Sequence, residues 1–269
     1  QRRAPRAEVG AASWCDCTAD RNNASRRQDS VVVLGASGGV GRGIVAELLA
    51  AGHAVVAVGR SKERLATLMR HAAAHRGLTL LCGSVATDAA GAALAQGLRE
   101  LPGRPVAVVA SVCGPSNSGR LLARPGSFLQ RSLEEDVVSH FIAAKHLLPM
   151  LAEAQPEGLY LIVSGPAADC PWSGYGHRSI AAAALRMLTL VLREEAKELP
   201  ASVQQLQIGR PVRTEDNADR PEWLGADEVG RRCTDRSVDL SANRRASRGG
   251  CTSADHRRRA SRQRADAQR

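Results

Sequence analysis

The sequence predicts an α/β fold, a doubly wound parallel sheet covered by helices on both faces in three α/β/α layers. Two observations lead to this fold class. Six short runs rich in Val, Ile and Leu alternate along the chain with segments of helical length, which is the pattern of consecutive βαβ units. Most of these runs are apolar throughout, as expected for strands that helices cover on both faces. The predicted strands are Val31–Leu34, Ala54–Val58, Leu78–Leu81, Val106–Ala110, Leu159–Val163 and Val203–Ile208.

Most of the predicted strands lead into a segment long enough for a helix. Two parallel strands joined by a helix form a right-handed crossover. In doubly wound sheets a ligand binds at the carboxyl ends of the strands, near the point where the strand order reverses. A further helix is predicted within residues 221–232. The helices that follow strands are predicted at Gly41–Ala51, Lys62–Ala74, Ala89–Leu101, Leu133–Ala154 and Ser179–Leu199.

The composition divides the chain of 269 residues into three parts. Residues 1–29 show neither a helical nor a strand period and are predicted to be disordered. Residues 230–269 carry twelve arginines against four acidic residues and few apolar side chains, so they are predicted to form an arginine-rich disordered tail. The folded domain is expected to occupy residues 30–229, where the apolar runs lie.

The positive charge of the chain lies in its two ends. The net charge is +10, yet residues 30–229 carry 19 basic and 19 acidic residues. A protein whose main partner is nucleic acid is expected to carry a basic face on its folded part, so no nucleic-acid partner is predicted and an arginine-tail nucleic-acid binder ranks last among the functions considered. No stretch approaches the roughly 20 unbroken apolar residues that a membrane span needs, so the sequence predicts a soluble protein without a membrane partner.

Seven cysteines are scattered along the chain without two facing pairs at close spacing. No metal site is therefore predicted. Cys82 and Cys113 lie at the ends of apolar runs and are expected to be small core side chains. Because the cysteines do not suggest a disulfide framework, a reducing, cytoplasmic location is the default expectation.

A glycine-rich turn directly follows the first predicted strand and opens the first helix. Its glycines allow a tight bend and a close approach of the backbone to a diphosphate, and the helix N-terminus presents N–H groups to the phosphates. Its place in a strand–turn–helix–strand unit favours a dinucleotide site over a purely structural turn. The predicted cofactor residues of this glycine turn are Gly35, Ala36, Ser37, Gly38, Gly39, Val40 and Gly41.

Arg60 stands at the end of the second predicted strand. An acidic residue there would bind the ribose 2′-hydroxyl of NAD, whereas a guanidinium group pairs with the 2′-phosphate of NADP. Arg60 therefore predicts NADP, with NAD less favoured. The alternative, a solvated charge at the start of the next helix, fits Lys62 better than Arg60.

The first strand, the glycine turn, the first helix and the second strand together resemble the cofactor-binding end of the short-chain dehydrogenases/reductases, a Rossmann-like family. The resemblance extends with lower fidelity over residues 30–214. The family's Gly-xxx-Gly-x-Gly spacing falls on Gly35, Gly39 and Gly41, and the Gly-xx-Gly-xx-Gly spacing of its extended and atypical branches falls on Gly35, Gly38 and Gly41, so the turn does not choose between these branches. The resemblance implies an NADP(H)-dependent oxidoreductase that transfers a hydride between the nicotinamide and a small carbonyl or alcohol substrate.

Later segments resemble the family with substitutions. The family's Asp-Val beside the adenine is replaced by Ser84 and Val85, and Gly114 is the residue kept from its Asn-Asn-Ala-Gly. Asp136 stands where the family has an Asn that supports proton relay, in a helix that resembles the dimer-forming helix and so implies a homo-oligomer. Thr214 belongs to a scrambled form of the strand and turn beside the nicotinamide. The family's seventh strand is not recognisable.

The catalytic residues depart furthest from the family pattern. Ser164 falls where the family's serine binds the substrate carbonyl oxygen, although a serine at a strand end is often only a cap. The family uses a Tyr as proton donor and a Lys four residues later, and alignment of the helix puts Arg178 and Ala182 at these positions. Tyr175 lies three residues before Arg178, so the chain has no Tyr-xxx-Lys motif.

Two interpretations of these departures stay open. In the first, Ser164 and Tyr175 are the catalytic residues of an atypical oxidoreductase, with Arg178 or His177 assisting the proton transfer. In the second, the active site is degenerate, and the chain is a non-catalytic dinucleotide-binding or sensing protein. Loss of a general acid lowers the rate by about 10²- to 10⁴-fold, so the two interpretations predict measurably different rates of turnover. Outside the first interpretation, His177 is expected to be an exposed polar side chain.

Overall fold

The computed structural model describes residues 29–72, 77–115, 117–153, 158–168, 171–214 and 218–238. These residues include all six predicted strands. Of the two segments predicted to be disordered, residues 1–28 and 239–269 lie outside the described residues. The prediction is wrong for Asp29, which begins the first strand, and for residues 230–238, which belong to the last described helix.

Six strands occur at the six predicted places. They are β1 (Asp29–Leu34), β2 (Ala54–Gly59), β3 (Leu78–Cys82), β4 (Arg104–Ala110), β5 (Gly158–Ser164) and β6 (Ala201–Gln207). Their order in the sheet is β3-β2-β1-β4-β5-β6, and all neighbouring pairs are parallel. This confirms the predicted fold class. The strand order reverses at β1, so β1 and β4 flank the switch point where sheets of this kind bind ligands.

Within the described residues, seven α-helices connect and cover the strands. They are α1 (Gly39–Ala50), α2 (Lys62–His71), α3 (Asp88–Glu100), α4 (Gly126–Leu133), α5 (Ser139–Ala152), α6 (Gly176–Glu195) and α7 (Ala226–Val238). Side chains cap two of them. The Ser61 hydroxyl oxygen accepts from the Arg64 N–H at the start of α2, and Thr87 accepts from the Ala90 N–H at the start of α3, which satisfies amides that the helix itself leaves open.

The helix predicted at Leu133–Ala154 begins earlier and is not regular. It starts at Gly126 as α4, passes through a π-helix at Glu134–Val138 and continues as α5. Pro125 and Gly126 stand at this start. Because glycine is a poor helix former and proline favours only the first turn, helix propensity alone does not reveal where the helix begins.

The apolar core lies on both faces of the sheet because successive side chains of a strand point to opposite sides. On β1, Val32 and Leu34 belong to one cluster, and Val31 and Val33 belong to the other. Buried side chains of α3, α5 and α6 complete the first cluster, and those of α1, α2 and α7 complete the second. The structure therefore has the three predicted layers.

The predicted domain boundary at residue 229 falls inside α7. Val229 and Cys233 are fully buried in the cluster that α1 and α2 share. The backbones of α1 and α7 touch, since a Cβ on Gly230 would collide with the Gly43 carbonyl oxygen. The described domain consequently extends to Val238, because this helix covers apolar surface that the shorter domain would leave exposed.

Cys82 and Cys113 are exposed, so the prediction that they fill the core is wrong. Cys82 is the last residue of the edge strand β3, and Cys113 lies in the loop after β4. Among the described cysteines, Cys233 is the one that fills the core.

The sheet ends at β6 within the residues that the structure describes. Two short strands, β7 (Val212–Arg213) and β8 (Leu224–Gly225), pair with each other apart from the main sheet. None of the described helices is long and apolar enough to cross a membrane.

Candidate functional site

The glycine turn joins β1 to α1 with its backbone packed against neighbouring backbone. Gly35 has a φ of +75°, a left-handed conformation that favours glycine. A Cβ on Gly35 would collide with the Ser111 carbonyl oxygen, and one on Gly41 would collide with the Gly35 carbonyl oxygen. Gly38 precedes α1 and, as a glycine, has no side chain with which to cap the first amides of this helix, and the Thr214 side chain packs against Gly39.

A cavity of about 570 Å³ lies at the carboxyl ends of β1, β2, β3 and β4. This is the region of the sheet where the strand order predicts a ligand. The other four residues of the glycine turn, Ala36, Gly39, Val40 and Gly41, do not line the cavity and instead form the bend that supports it. The predicted cofactor residues that line the cavity are Gly35, Ser37, Gly38, Arg60, Ser84, Val85 and Gly114.

Three arginines line this cavity, and none of them is in an ion pair with another described residue. Arg60 follows β2, Arg64 lies on α2, and Arg131 lies on α4. Elsewhere on the surface, Arg99 and Arg104 each pair with a carboxylate. Guanidinium groups that converge on a concave site without acidic partners favour an anionic ligand, above all one that carries phosphate.

The π-helix between α4 and α5 supplies acidic side chains to the same cavity. The Ser139 N–H donates to the Glu134 carbonyl oxygen, and the Ser139 hydroxyl donates to the Glu135 carbonyl oxygen at 2.6 Å. Turns of this kind are rare and occur often at functional sites. Glu134 and Glu135 line the cavity, and the neighbouring Asp136 is buried.

Arg178 and Asp136 form an ion pair that holds the loop after β4. The Arg178 Nη1 atom lies 3.0 Å from Asp136 Oδ1 and 2.9 Å from Oδ2. The Arg178 Nη2 atom donates to the Gly114 carbonyl oxygen at 2.7 Å, and the Gly114 N–H donates to Asp136 Oδ1 at 2.7 Å. The pair therefore binds Gly114, a cavity residue, on both its N–H and its C=O side.

Ser164 lies at the carboxyl end of β5 and is buried. Its hydroxyl oxygen accepts a hydrogen bond from Gln205 Nε2 at 2.8 Å, and its carbonyl oxygen accepts from the Ile208 N–H. Ser164 does not line the cavity that contains the glycine turn.

Tyr175 directly precedes α6 and makes no side-chain cap. Its ring centroid lies 6.4 Å from the ring of Trp172 and 6.4 Å from the ring of His177. Tyr175 does not line the cavity either. The structure thus groups most of the predicted cofactor residues around one cavity and places the two predicted catalytic residues outside it.

His177 is buried, so the expectation of an exposed polar side chain is wrong. It is 2% exposed, and neither ring nitrogen has a hydrogen-bond partner among the described residues. Its ring packs edge-on against Phe128 of α4, with 4.8 Å between centroids. Burial and the nearby positive charge of Arg178 lower the His177 pKa, and Asp136 opposes this in part. A neutral, unpartnered imidazole in this position acts as a packing group between α4 and α6.

The family of the chain follows from a comparison with known families. The sequence model described as short chain dehydrogenase matches residues 29–224. The chain belongs to the short-chain dehydrogenase family. Its fold and family are those of oxidoreductases that use nicotinamide cofactors. No curated protein matches the sequence.

Solved structures of short-chain dehydrogenases share the fold at low sequence identity. A short-chain dehydrogenase/reductase from Mycobacterium ulcerans is 19% identical, with a TM-score of 0.70 over 80% of this chain and 83% of that one. A second from Vibrio parahaemolyticus is 21% identical, with a TM-score of 0.63 over 74% and 86%. A metagenomic short-chain oxidoreductase in complex with NADP is 23% identical, with a TM-score of 0.61 over 71% and 87%.

Sequence reasoning missed several cavity residues of this short-chain dehydrogenase. Arg64 went unnoticed although it lies four residues after Arg60. Arg131, Glu135 and Ser139 are spaced four residues apart, so a helix places them on one face. This face was missed because the predicted helix began at Leu133, after Arg131. Within the described part of the chain, no group of three or more His, Cys, Asp or Glu side chains could hold a metal ion.

Proposed function

We propose that this short-chain dehydrogenase binds NADP(H) in the cavity at the carboxyl ends of β1, β2, β3 and β4. The observation that carries the proposal is that the glycine turn lines the same cavity as Arg60 and Arg64, two arginines without an ion pair to any other described residue. The diphosphate fits at the turn because Gly35 and Gly38 present no side chain and Gly38 leads directly into the N-terminus of α1. When bound, the cofactor supplies the hydride chemistry.

The preference for NADP over NAD rests on the end of β2. The residues there are Arg60 and Ser61, where a dinucleotide site for NAD would carry a carboxylate to accept from the ribose 2′-hydroxyl. Arg60 and Arg64 are both exposed toward the cavity, so they can pair with a 2′-phosphate at little desolvation cost. The metagenomic relative in complex with NADP supports the same choice. Ser84 and Val85, after β3, would lie beside the adenine.

The residues at the aligned catalytic positions favour a protein that binds the cofactor but does not carry out the family's proton transfer. Hydride addition to a carbonyl leaves an alkoxide that needs a proton donor. The alignment puts Arg178 at the donor position, and a guanidinium group keeps its proton throughout the physiological pH range. The Arg178 side chain is moreover occupied by Asp136 and Gly114. We therefore favour a dinucleotide-binding protein with little or no carbonyl reduction.

The second candidate is an NADP(H)-dependent oxidoreductase that acts on a small carbonyl or alcohol. One observation favours it. Because the Ser164 oxygen accepts from Gln205, the serine's own O–H is left to donate to a substrate carbonyl oxygen. In this candidate Ser164 polarises the carbonyl and Tyr175 donates the proton.

Titration with NADPH and NADH tests the binding proposal. We expect the wild-type protein to bind NADPH more tightly than NADH, with a change in nicotinamide fluorescence. The double variant Arg60→Ala/Arg64→Ala should lose about tenfold or more in NADPH affinity and leave NADH nearly unchanged, because charge-assisted hydrogen bonds to phosphate are lost. Arg99→Ala, on the far surface of α3, is the matched control. Absence of NADPH binding by the wild-type protein would refute the proposal.

A panel of aldehydes and ketones, offered with NADPH, separates the two candidates. The favoured one predicts cofactor binding with no turnover above the buffer rate. The second predicts turnover that falls in Tyr175→Phe and Ser164→Ala by about 10²-fold or more. Turnover that survives both substitutions would contradict the roles assigned to Ser164 and Tyr175.

We also propose that the protein forms a homo-oligomer. The π-helix and α5 expose Val138 and Phe141, and α6 exposes Met187 and Leu190, all four by more than 40%. Burial of such side chains against a second copy of the chain removes apolar surface from water. Size-exclusion chromatography with light scattering should give a dimer or larger species, and the double variant Phe141→Asp/Met187→Asp should give the monomer mass.

A cytoplasmic location is proposed from the cysteines. Cys82 and Cys113 are exposed free thiols, which persist in a reducing compartment. Alkylation of both thiols in freshly prepared cytosolic extract, without added reductant, is the expected result.

A further inference from the structure

The cavity proposed for NADP(H) contains a carboxylate that is left without a partner. Glu135 lines the cavity from the π-helix, and no hydrogen bond or ion pair of its carboxylate is found within the described part of the chain. Glu134 lines the same cavity, but its carboxylate already accepts from Gln130 Nε2 at 3.0 Å. Glu135 is thus a hydrogen-bond acceptor that a ligand in this cavity can use.

The Glu135 side chain packs against the loop after β4. A Cβ on Gly114 would collide with Glu135 Oε2 and would lie 2.9 Å from Glu135 Cβ. Gly114 is held on its N–H by Asp136 and on its carbonyl oxygen by Arg178, so this wall of the cavity is fixed. The Glu135 carboxylate therefore lies on the β4 side of the cavity, whereas Arg60 follows β2, on the other side of β1.

The residues around the cavity indicate which half of a dinucleotide it takes. Arg60 and Arg64, to which the 2′-phosphate is assigned above, line it. Ser84 and Val85, after β3, line it as well. The glycine turn, to which the diphosphate is assigned, forms the wall at β1. The part of NADP(H) that carries the 2′-phosphate and ends at the diphosphate is the adenosine half, so adenosine 2′-phosphate is the group that Glu135 faces.

Adenosine 2′-phosphate has two kinds of donor for a carboxylate, the ribose 3′-hydroxyl and the 6-amino group of the adenine. The 3′-hydroxyl is next to the 2′-phosphate and so stays close to Arg60 and Arg64. Neighbouring strands are about 4.8 Å apart, which separates β2 from β4 by roughly 10 Å across β1. The amino group lies on the edge of the base far from the ribose and can span this separation. Carboxylates accept well from amino groups of this kind.

We infer that Glu135 accepts a hydrogen bond from the adenine 6-amino group and makes the site selective for adenine among the purine bases. The inference rests on the proposed NADP(H) binding. The hydroxyl oxygen of Ser84, which stands where the family has an Asp beside the adenine, already accepts from the Ala86 N–H at 3.2 Å. Glu135 thus supplies from the π-helix the carboxylate that the loop after β3 lacks. Hypoxanthine has a carbonyl oxygen in place of the amino group, so it would set one acceptor against another.

Calorimetric titration with adenosine 2′,5′-bisphosphate and inosine 2′,5′-bisphosphate tests this role, because the two ligands differ only at that edge of the base. We expect the wild-type protein to bind the adenosine ligand more tightly by about tenfold or more, the effect expected when a hydrogen bond to a charged group is lost. Glu135→Ala should weaken binding of the adenosine ligand and not that of the inosine ligand, so that the two affinities become similar.

Two further variants complete the test. The side-chain amide of Glu135→Gln both donates and accepts, so this variant should bind the inosine ligand more tightly than the wild type does. Glu100→Ala removes an exposed carboxylate at the end of α3, outside the cavity. It is the matched control and should keep the wild-type preference for adenosine.

Two results would overturn the inference. One is equal affinity of the wild-type protein for the two ligands, and the other is a preference for adenosine that persists in Glu135→Ala and Glu135→Gln. An equal loss of affinity for both ligands belongs to the second case and would put the carboxylate at the ribose. Failure of the wild-type protein to bind the adenosine ligand would instead overturn the proposed NADP(H) binding and this inference with it. Circular dichroism shows whether each variant is folded, and Glu135→Gln, which keeps the shape of the side chain, decides if Glu135→Ala is not.

Discussion

The Arg178 guanidinium and the Asp136 carboxylate, 42 positions apart in the chain, meet through two contacts of 3.0 and 2.9 Å. Both side chains are largely buried, with 19% and 10% of their surface exposed. Such a pair contributes little net stability over an apolar replacement, but loss of one partner leaves a buried charge uncompensated. The pair is therefore better understood as a constraint on geometry, because it fixes the peptide at Gly114 between two helical segments.

Removal of Arg178 alone should destabilise the fold. In Arg178→Met, Asp136 keeps its charge without its cation, and we expect a loss of about 3 kcal/mol in the free energy of unfolding. In the double variant Arg178→Met/Asp136→Leu no charge stays buried, so most of that loss should be recovered. Urea unfolding followed by circular dichroism measures both. A double variant as unstable as the single one would show that the charge itself is not the cause.

Restoration of the family's proton relay should create carbonyl reductase activity. The triple variant Arg178→Tyr/Ala182→Lys/Asp136→Asn puts the donor, the lysine and the supporting amide at the aligned positions. We expect NADPH oxidation with small aldehydes to rise by about 10²-fold or more over wild type. Arg178→Tyr alone is the control and should show no comparable gain. A wild-type rate equal to that of the triple variant would argue that the protein already possesses a working proton donor.

The glycine turn should not tolerate even one added methyl group. Gly41→Ala places its Cβ against the Gly35 carbonyl oxygen, and backbone on both sides leaves no room for adjustment. We expect NADPH binding to be lost. Gly126→Ala is the matched control, because this glycine also lies in the first turn of a helix and a Cβ there meets nothing within 4 Å. If Gly41→Ala binds NADPH with wild-type affinity, the turn does not hold the diphosphate.

Replacement of Tyr160 by phenylalanine should stabilise the fold. Its side chain is fully buried at the centre of β5, and its hydroxyl has no hydrogen-bond partner among the described residues. Burial raises the Tyr160 pKa, so the phenol stays neutral at any pH that the fold survives. Tyr160→Phe removes an unsatisfied polar group and should raise the free energy of unfolding by about 1 kcal/mol. Thermal unfolding measures the change, and a decrease would reveal a partner for the hydroxyl.

The buried histidines should make the fold sensitive to acid. Burial lowers the pKa of His177 below its ordinary value of 6.5, with Arg178 acting in the same direction and Asp136 opposing; burial likewise lowers that of His140, against the hydrogen bond to Val112. The unfolded chain then binds protons first on acidification, so stability is fully present above pH 6.5 and declines below it.

The free energy of unfolding, measured between pH 7.5 and pH 5 for the wild type and for variants that lack one histidine, tests this acid sensitivity. His177→Phe, which keeps an aromatic ring against Phe128, should flatten the decline, because one proton-binding difference between the folded and unfolded states disappears. His71→Phe changes an exposed histidine on α2 and is the control. An identical decline in wild type and His177→Phe would exclude His177 as a source of the pH dependence.

The parts of the molecule that local sequence determines were predictable. The strand–turn–helix unit at Gly35 and the basic residue at the end of the second strand are local patterns, and both appear at the predicted cavity. The pairing of Arg178 with Asp136 was not predictable, because each residue is unremarkable in its own segment and only the fold brings them together. The exposure of Cys113 follows from tertiary structure in the same way.

The start of α4 was missed for a different reason, which is that local residue preferences do not mark where this helix begins. Pro125 and Gly126 are residues that end helices as often as they begin them, so α4 was absent from the prediction. Without α4 the helical face shared by Arg131 and Glu135 could not be seen. His177 was misjudged for a related reason, since the residue that buries it, Phe128, lies on that same missing helix.

The π-helix makes the length of one segment a functional property. A π-turn holds one residue more than an α-turn, so deletion of a single residue between Glu134 and Val138 would convert the whole rod to regular α-helix. The π-turn takes up that extra residue with less rotation per residue, so α4 and α5 would keep their mutual orientation after such a deletion. A deletion in the regular part of α4 or α5 would instead rotate the residues on one side of it by about 100° relative to those on the other. The π-helix is thus the place where this rod absorbs a change of one residue in length, whereas a one-codon deletion between Arg131 and Glu134 would rotate Arg131 relative to the acidic side chains of the cavity.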